Sequence, residues 1–370
     1  MSSKQLNNLL LSWDKNEESE SQENVEEILE VLHPDTQQLW RLDVEGYKGF
    51  HFPQWISSSP LKHLMLKDCE NCLQLSPIAK LPSLKTLRIL NMIHVEYLYE
   101  ESYDGEVVFR ALEDLSLCRL PKLKRLSRED GENMFPCLSI LEIDGCDRFL
   151  GEEVFLHRLH SLTLINCGKI NVSAGFNCLE KLWISECRVE SLQALQDMTS
   201  LKELRLRNLP KLETLPDCFG NLPLLHTLSI FFCSKLTCLP MSLSFSGLHQ
   251  LTIFGCHSEL EKRYEKETGE DWPNIAHIPH ISVGSNLYDH ISDWGILSIL
   301  FLPSYIYIFT KFLDFMHWKL LNKYLDFSCI SFPLYVLENS HILSFFCRLV
   351  SPNIKEQFIC CNLQVLIKTQ

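Results

Sequence analysis

Ten segments of the chain share the pattern Leu-x-x-Leu-x-Leu, in which the last position is Leu, Val or Ile and the x positions are mostly polar. The last two apolar residues alternate with a period of two, which predicts a short β-strand that turns both of them toward the core. One such unit cannot bury its apolar side alone, so the units are expected to stack around one continuous core. The segments begin at Leu39, Leu61, Leu84, Leu112, Leu138, Leu159, Leu179, Leu201, Leu225 and Leu248.

The spacing of these segments identifies the type of repeat. Successive starts are 20 to 28 residues apart, which lies within the period of about 20–29 residues of leucine-rich repeats. The predicted fold class is therefore an α/β repeat. It is a leucine-rich-repeat solenoid of about ten repeats over residues 39–283, with a parallel β-sheet on its concave face.

A second column of residues supports the same register. The residue eight positions after the start is Cys in six copies, and it is Tyr47, Met92, Leu120 or Leu209 in the other four. Because free Cys behaves as a small hydrophobic residue, this column is expected to be buried and structural. A metal site at Cys69-Glu-Asn-Cys72 is not predicted, since no second pair stands at ligand spacing. The six cysteines are Cys69, Cys146, Cys167, Cys187, Cys233 and Cys256.

The regions on either side of the repeats differ from them in composition. Residues 1–36 form an acidic segment, in which Val25, Ile28, Leu29 and Leu32 follow the spacing of one helix face. This amphipathic helix is interpreted as a surface helix that packs on its neighbour, and an acidic docking face is the alternative. The predicted domains are thus the acidic segment 1–36, the repeat domain 37–284 and a tail, 285–370.

The tail is hydrophobic and rich in aromatic residues, and the repeat pattern stops before it begins. Residues 294–310 carry no charge, a length at the lower edge of a membrane span, and Pro303 interrupts them. Three interpretations stay open: sequence not selected to fold, additional packed helices, or a membrane anchor through 294–310.

Composition and missing motifs exclude several classes of function. The net charge of −13 disfavours nucleic acid as a partner, because phosphate backbones require clustered Lys and Arg. The sequence contains no phosphate-binding loop, dinucleotide fingerprint, zinc-protease pair or nucleophile elbow. We therefore expect no catalytic, cofactor-binding or metal-binding residues and a non-enzymatic protein. The opening residues lack the features of a secretory signal, which predicts a cytoplasmic location.

Several longer motifs resemble one known family. Leu209-Pro-Lys-Leu-Glu-Thr-Leu-Pro216 and Cys233-Ser-Lys-Leu-Thr-Cys-Leu-Pro240 resemble the repeats of plant intracellular immune receptors, and Glu270-Asp-Trp-Pro-Asn-Ile-Ala-His-Ile-Pro279 is similar to their usual ending. The family is the coiled-coil, nucleotide-binding, leucine-rich-repeat disease resistance proteins, of which this sequence resembles only the C-terminal repeat portion. The resemblance implies a repeat domain that senses a pathogen effector or a guarded host protein and holds a nucleotide-binding domain at rest.

The expected function is therefore a plant-defence recognition module that binds protein partners and lacks its own nucleotide-binding switch domain. The partners implied are a pathogen effector, a guarded host protein or the nucleotide-binding domain of a full-length receptor. An alternative is a substrate-recognition subunit of a ubiquitin ligase, which would need an F-box-like helical module ahead of the repeats. A membrane-anchored receptor that uses residues 294–310 is a third possibility.

The x positions of the pattern define a candidate binding surface, because their side chains point outward from the strands. The middle x column runs through Met65, Arg88, Ser116, Glu142, Thr163, Trp183, Arg205, Ser229 and Thr252. The next outward column adds Arg207, Phe231 and Phe254, which the register is expected to expose to solvent. Exposed Trp, Phe and Arg together are typical of interface hot spots. The predicted protein-binding residues are Trp183, Arg205, Arg207, Phe231 and Phe254, and mutual covering of the aromatic residues, or covering by the tail, is the structural alternative.

Overall fold

The computed structural model describes residues 7–13, 22–31, 38–72, 75–99, 108–127, 135–149, 156–168, 176–189, 192–216, 222–240 and 247–284. The chain divides into two units, Met1–His290 and Ile291–Gln370, and all the described residues belong to the first unit. The predictions for the tail 285–370, including the uncharged run 294–310, lie outside the described residues.

In the described residues, twelve strands pair in parallel in the order of the sequence to form one sheet. The ten strands β2 to β11 coincide with the ten Leu-x-x-Leu-x-Leu segments, so the predicted leucine-rich-repeat solenoid is confirmed. The strands are β1 (Asn8–Ser12), β2 (Arg41–Glu45), β3 (His63–Lys67), β4 (Thr86–Leu90), β5 (Asp114–Cys118), β6 (Ile140–Asp144), β7 (Ser161–Ile165), β8 (Lys181–Ser185), β9 (Glu203–Arg207), β10 (Thr227–Phe231), β11 (Gln250–Phe254) and β12 (His280–Val283).

The core lies on one side of this sheet. The second and fourth residues of β2 to β11 are buried in every strand, as Leu64 and Leu66 are in β3 and Leu204 and Leu206 are in β9. The helices are short, and most of them lie between strands: α1 (Gln22–Val31), α2 (Gln54–Ser57), α3 (Ser76–Ala79), α4 (Ser258–Arg263), α5 (Trp272–Ile275) and a 3₁₀ helix (Gln193–Asp197).

Each strand from β2 to β11 ends in the same turn. The residue directly after the last residue of the strand has a positive φ in all ten repeats, with values from 44° to 73°. In nine repeats the N–H of this residue donates a hydrogen bond to the last carbonyl of the next strand, as Asn208 does to Phe231. Gly, Asn and Asp tolerate this left-handed conformation best, and they fill seven of the ten positions. The ten residues are Gly46, Asp68, Asn91, Arg119, Gly145, Asn166, Glu186, Asn208, Phe232 and Gly255.

The cysteine column follows directly after this turn and is buried as predicted, except that Cys256 is half-buried. Each thiol lies within hydrogen-bond reach of backbone carbonyls; Cys187 Sγ, for example, is 3.1 Å from the Ser185 oxygen and 3.6 Å from the Leu164 oxygen. Burial raises the pKa of Cys69 and of Cys146 to about 12 and the pKa of Cys233 to about 11. Cys69, Cys146 and Cys233 therefore stay protonated. The thiols of the column stabilise the turns by packing and by weak hydrogen bonds.

The predicted amphipathic helix is present as α1, and it packs on the start of the repeat domain. Val25 and Leu29 are buried, whereas Ile28, which the helix-face pattern grouped with them, is 49% exposed. The Glu26 carboxylate accepts hydrogen bonds from the backbone N–H groups of Phe50 and His51. These contacts support the interpretation of α1 as a packed surface helix.

The sheet also extends beyond the ten predicted strands. Strand β1 lies in the segment for which only a helix was predicted, and β12 follows the last repeat. Between β11 and β12, α4 and α5 place Leu260, Tyr264 and Ile275 in the core, and Arg263 Nε donates to Asp271 at 2.6 Å. This arrangement covers the apolar end of the core next to β11, as the terminal unit of a solenoid must.

Candidate protein-binding surface

The outward side chains of the sheet form straight rows because the strand register is unbroken. The middle residues of β3 to β11 pair across neighbouring strands, which confirms that the predicted middle column is a single row. We call this row, from Met65 on β3 to Thr252 on β11, the middle row. The last residues of the same strands form a parallel end row from Lys67 to Phe254.

All five predicted binding residues lie on four consecutive strands. Trp183 of β8 pairs with Arg205 of β9 in the middle row. In the end row Arg207 of β9 pairs with Phe231 of β10, which pairs in turn with Phe254 of β11. Neighbouring strands are about 4.8 Å apart, so these side chains form one continuous patch.

The predicted exposure of Phe231 is wrong, because this side chain is only 1% exposed. Arg207 and Phe254 lie on either side of it at the spacing of neighbouring strands, where large side chains cover each other's faces. Trp183, Arg205, Arg207 and Phe254 are half-buried. Phe231 therefore packs beneath the patch. The other four side chains form its partly exposed surface.

Phe232 belongs to the same patch, although the sequence analysis missed it. This residue occupies the left-handed turn after β10, with φ of 54°, and its side chain is 36% exposed. Its ring meets the Phe254 ring edge-on at 5.4 Å, and the Arg207 guanidinium lies 5.9 Å from its centroid. A bulky residue at a position that favours Gly or Asn was the available sequence signal. We call Trp183, Arg205, Arg207, Phe231, Phe232 and Phe254 the aromatic–basic region.

Both arginines of this region have a neighbouring carboxylate beside one terminal nitrogen. Arg205 Nη2 pairs with Glu203 on the same strand, and Arg207 Nη1 lies 3.8 Å from a carboxylate oxygen of Glu186. Beside them a cavity of about 160 Å³ opens on β7, β8 and β9. Its lining residues are Ser161, Leu162, Thr163, Lys181, Leu182, Trp183, Glu203 and Arg205.

A second outward region, on β5 and β6, has the opposite charge. Asp114, Glu142 and Asp144, which we call the acidic region, all point away from the core and are half-buried. Burial raises the pKa of each of these carboxyls, and the charge of Asp144 raises the pKa of Glu142 further. The nearby Cys118 thiol lies 3.6 Å from an Asp144 carboxylate oxygen, and burial raises its pKa to about 12.

A metal site and a membrane-spanning helix are two further possibilities for the part of the chain that the structure describes. Within it, no three His, Cys, Asp or Glu side chains are grouped in a way that could hold a metal ion. The helices of the same residues are also too short or too polar for any of them to cross a lipid bilayer. The outward rows of the sheet thus remain the candidate binding surface.

Comparisons with known proteins find a leucine-rich-repeat family and plant disease resistance proteins. Residues 1–92 match the family described as R13L1/DRL21 leucine-rich repeats. The disease resistance protein RGA2 of Solanum bulbocastanum is 31% identical over 75% of this chain and 30% of its own length. RGA4 of the same species, also named as a disease resistance protein, is 29% identical over 75% of this chain and 32% of its own length.

The chain therefore spans less than a third of the length of these relatives. Among solved structures, an internalin from Listeria monocytogenes is 16% identical, covering 72% of this chain and 85% of that chain at a TM-score of 0.36. A Leptospira interrogans leucine-rich-repeat protein is 18% identical, covering 67% of this chain and 73% of that chain at a TM-score of 0.42. From its repeats, its sheet and its sequence relatives, the chain is a leucine-rich-repeat protein related to the plant disease resistance proteins.

Proposed function

We propose that this chain is a plant-defence recognition module that binds a partner protein through the aromatic–basic region of its sheet. The observation that carries the proposal is the juxtaposition of Trp183, Arg205, Arg207 and Phe254 on four neighbouring strands. Trp and Arg dominate the binding energy of protein interfaces, and aromatic side chains supply large contact areas at low entropic cost. The sheet offers an extended surface, which suits a protein partner.

The partner classes follow from the kinship with disease resistance proteins. We propose a pathogen effector, a guarded host protein, or the nucleotide-binding domain of a full-length receptor, in the cytoplasm. We propose a binding role without catalysis; burial raises the pKa of Cys69 and of Cys146 and leaves these two thiols poor nucleophiles. The ubiquitin-ligase alternative has no specific observation in its favour.

A binding experiment with two matched variants tests the surface. Peptides selected from a random display library on the wild-type chain are measured against W183A/F254A, and against M65A/R88A in the middle row of β3 and β4. We expect the selected peptides to lose affinity for W183A/F254A by about tenfold or more and to keep their affinity for M65A/R88A. Phe231 stays intact, because truncating this buried ring would destabilise the fold.

Thermal melts of both variants accompany the binding measurement. Equal melting temperatures with a selective loss at W183A/F254A support the assignment. Peptides that bind W183A/F254A as tightly as the wild type would place recognition elsewhere on the molecule.

A further inference from the structure

We propose that the partner's contact segment carries carboxylate side chains, which bind the arginines of β9 beside Trp183 and Ser185 of β8. This inference rests on the proposed function, because it assigns the chemistry of the partner to the aromatic–basic region. It specifies an acidic peptide segment whose neighbouring residues are apolar.

The first observation is a concentration of unpaired donors. Five buried side-chain atoms lack a hydrogen-bond partner among the described residues, and all of them lie on β8 and β9. Four are nitrogens that can only donate, and the fifth is a hydroxyl on a fully buried residue, Ser185. A buried donor without an acceptor destabilises the folded chain, so this site favours a ligand that brings acceptors. The five atoms are Trp183 Nε1, Ser185 Oγ, Arg205 Nε, Arg207 Nε and Arg207 Nη1.

Both arginines of β9 are partly accessible to a ligand. Their side chains are 26% exposed at Arg205 and 16% exposed at Arg207. Glu203 pairs with Nη2 of Arg205, and Glu186 stands 3.8 Å from Arg207 Nη1, outside hydrogen-bond distance. A charge-assisted hydrogen bond from a guanidinium to a carboxylate is stronger than a neutral one.

The register places the five donors next to one another. Trp183 is opposite Arg205, and Ser185 is opposite Arg207, so the donors form a block of two rows on two strands. Phe231 and Phe254 continue the end row beyond Arg207. A carboxylate bound at β9 therefore lies beside an aromatic surface, which accounts for apolar residues next to the acidic one.

The charge of the remaining sheet directs the segment to β8 and β9. The acidic region on β5 and β6 holds three carboxyls that already carry raised pKa values from burial. It repels a second set of carboxylates, and it lies three strands, or about 14 Å, from β9. An acidic segment is thus attracted to β8 and β9 and repelled from β5 and β6. This is the pattern expected of a specific interface.

The composition of selected peptides tests this inference. Peptides are selected from the random display library on the wild-type chain, on R205Q/R207Q and on the control E186Q/E203Q, which removes the two competing carboxylates. On the wild type and on E186Q/E203Q we expect enrichment of Asp and Glu over the unselected library, and on R205Q/R207Q no such enrichment. Replacing Asp by Asn or Glu by Gln in a selected peptide should weaken wild-type binding about tenfold or more.

The outcomes separate the two proposals. Peptides that require Trp183 and Phe254 but show no enrichment of Asp and Glu would overturn the acidic-segment inference and leave the proposed function intact. Acidic peptides that bind R205Q/R207Q as tightly as the wild type would also overturn it. Peptides indifferent to W183A/F254A would overturn both proposals, and thermal melts of all variants establish that each is folded.

Discussion

The acidic region on β5 and β6 and the aromatic–basic region on β8 to β11 belong to one sheet with one register. Their inner residues are alike: Leu115 and Leu117 of β5 are as fully buried as Leu204 and Leu206 of β9. Their outward residues are opposite in charge, with carboxylates in one region and arginines with aromatic rings in the other. The comparison shows that the repeat constrains the inner positions and leaves the outward positions free to carry recognition.

Among the described residues, both regions hold half-buried polar groups in unfavourable surroundings. Glu142 and Asp144 are two carboxylates on the same face of β6, and Arg205 and Arg207 on β9 retain unpaired donors. A sheet optimised for stability alone would pair or expose such groups. Their presence on the outward face agrees with a binding role for it.

The largest expected effect tests whether the inner positions of the two regions are equivalent. Leu117→Ala in β5 and Leu204→Ala in β9 should each lower the free energy of unfolding by about 2–5 kcal/mol, because both leave a cavity in the same continuous core. Arg205→Ala, at the outward position next to Leu204, should lower the free energy of unfolding far less. Denaturant titrations measure all three, and an equally small effect of Leu204→Ala and Arg205→Ala would contradict the strand register.

A smaller effect is expected at the left-handed turns, where each region has a residue poorly suited to the conformation. Arg119→Gly after β5 and Phe232→Gly after β10 replace side chains at φ of 55° and 54° with a residue that adopts this conformation freely. We expect Arg119→Gly to raise stability by a few tenths to about 1 kcal/mol, since the relieved strain exceeds the added entropy of the unfolded chain. Phe232→Gly should raise it less, because this change also removes the ring contact with Phe254.

The same pair separates stability from recognition. Only Phe232→Gly removes a ring that contacts Phe254 and lies near Arg207. Peptides that bind the aromatic–basic region should therefore lose affinity for Phe232→Gly and keep it for Arg119→Gly. Equal affinities would remove Phe232 from the binding surface.

The smallest effect concerns pH and is confined to the acidic region. The folded-state pKa values of Asp114, Glu142 and Asp144 are raised, so the folded chain binds more protons than the unfolded chain. The stability that these groups contribute is fully present below their unfolded pKa values, near 4, and is lost as the pH rises through the higher folded values. D114N/E142Q/D144N should flatten this fall, with a gain of a few tenths of a kcal/mol at neutral pH, because the variant no longer buries charged carboxyls and has less like-charge repulsion at positions 142 and 144.

Unfolding free energies between mildly acidic and neutral pH measure this difference between the variant and the wild type. R205Q/R207Q serves as the control, because arginine does not titrate in this range. A variant that keeps the full pH dependence of the wild type would show that these three carboxyls are not its source.

The sequence predicts the ten central strands well because each of them carries its own leucine pattern. Strand β1 escapes the pattern because three consecutive leucines, Leu9 to Leu11, hide the alternation, and Leu10 is 63% exposed in the sheet. The outward rows follow from the register alone. The burial of Phe231 does not, because it depends on which side chains the neighbouring strands bring alongside it. Phe232 was missed for a related reason, since its role comes from a turn conformation that no strand pattern encodes.

In nine repeats the turn after the strand bonds to the repeat that follows through one backbone N–H and one carbonyl. Nothing in that linkage depends on how many units precede or follow it. A duplication or deletion of one whole unit between the acidic and aromatic–basic regions would therefore preserve this backbone linkage. It would also move the acidic and aromatic–basic regions toward or away from each other in steps of about 4.8 Å. Such a fold can vary the reach of its binding surface by changing its number of units, while the units themselves stay the same.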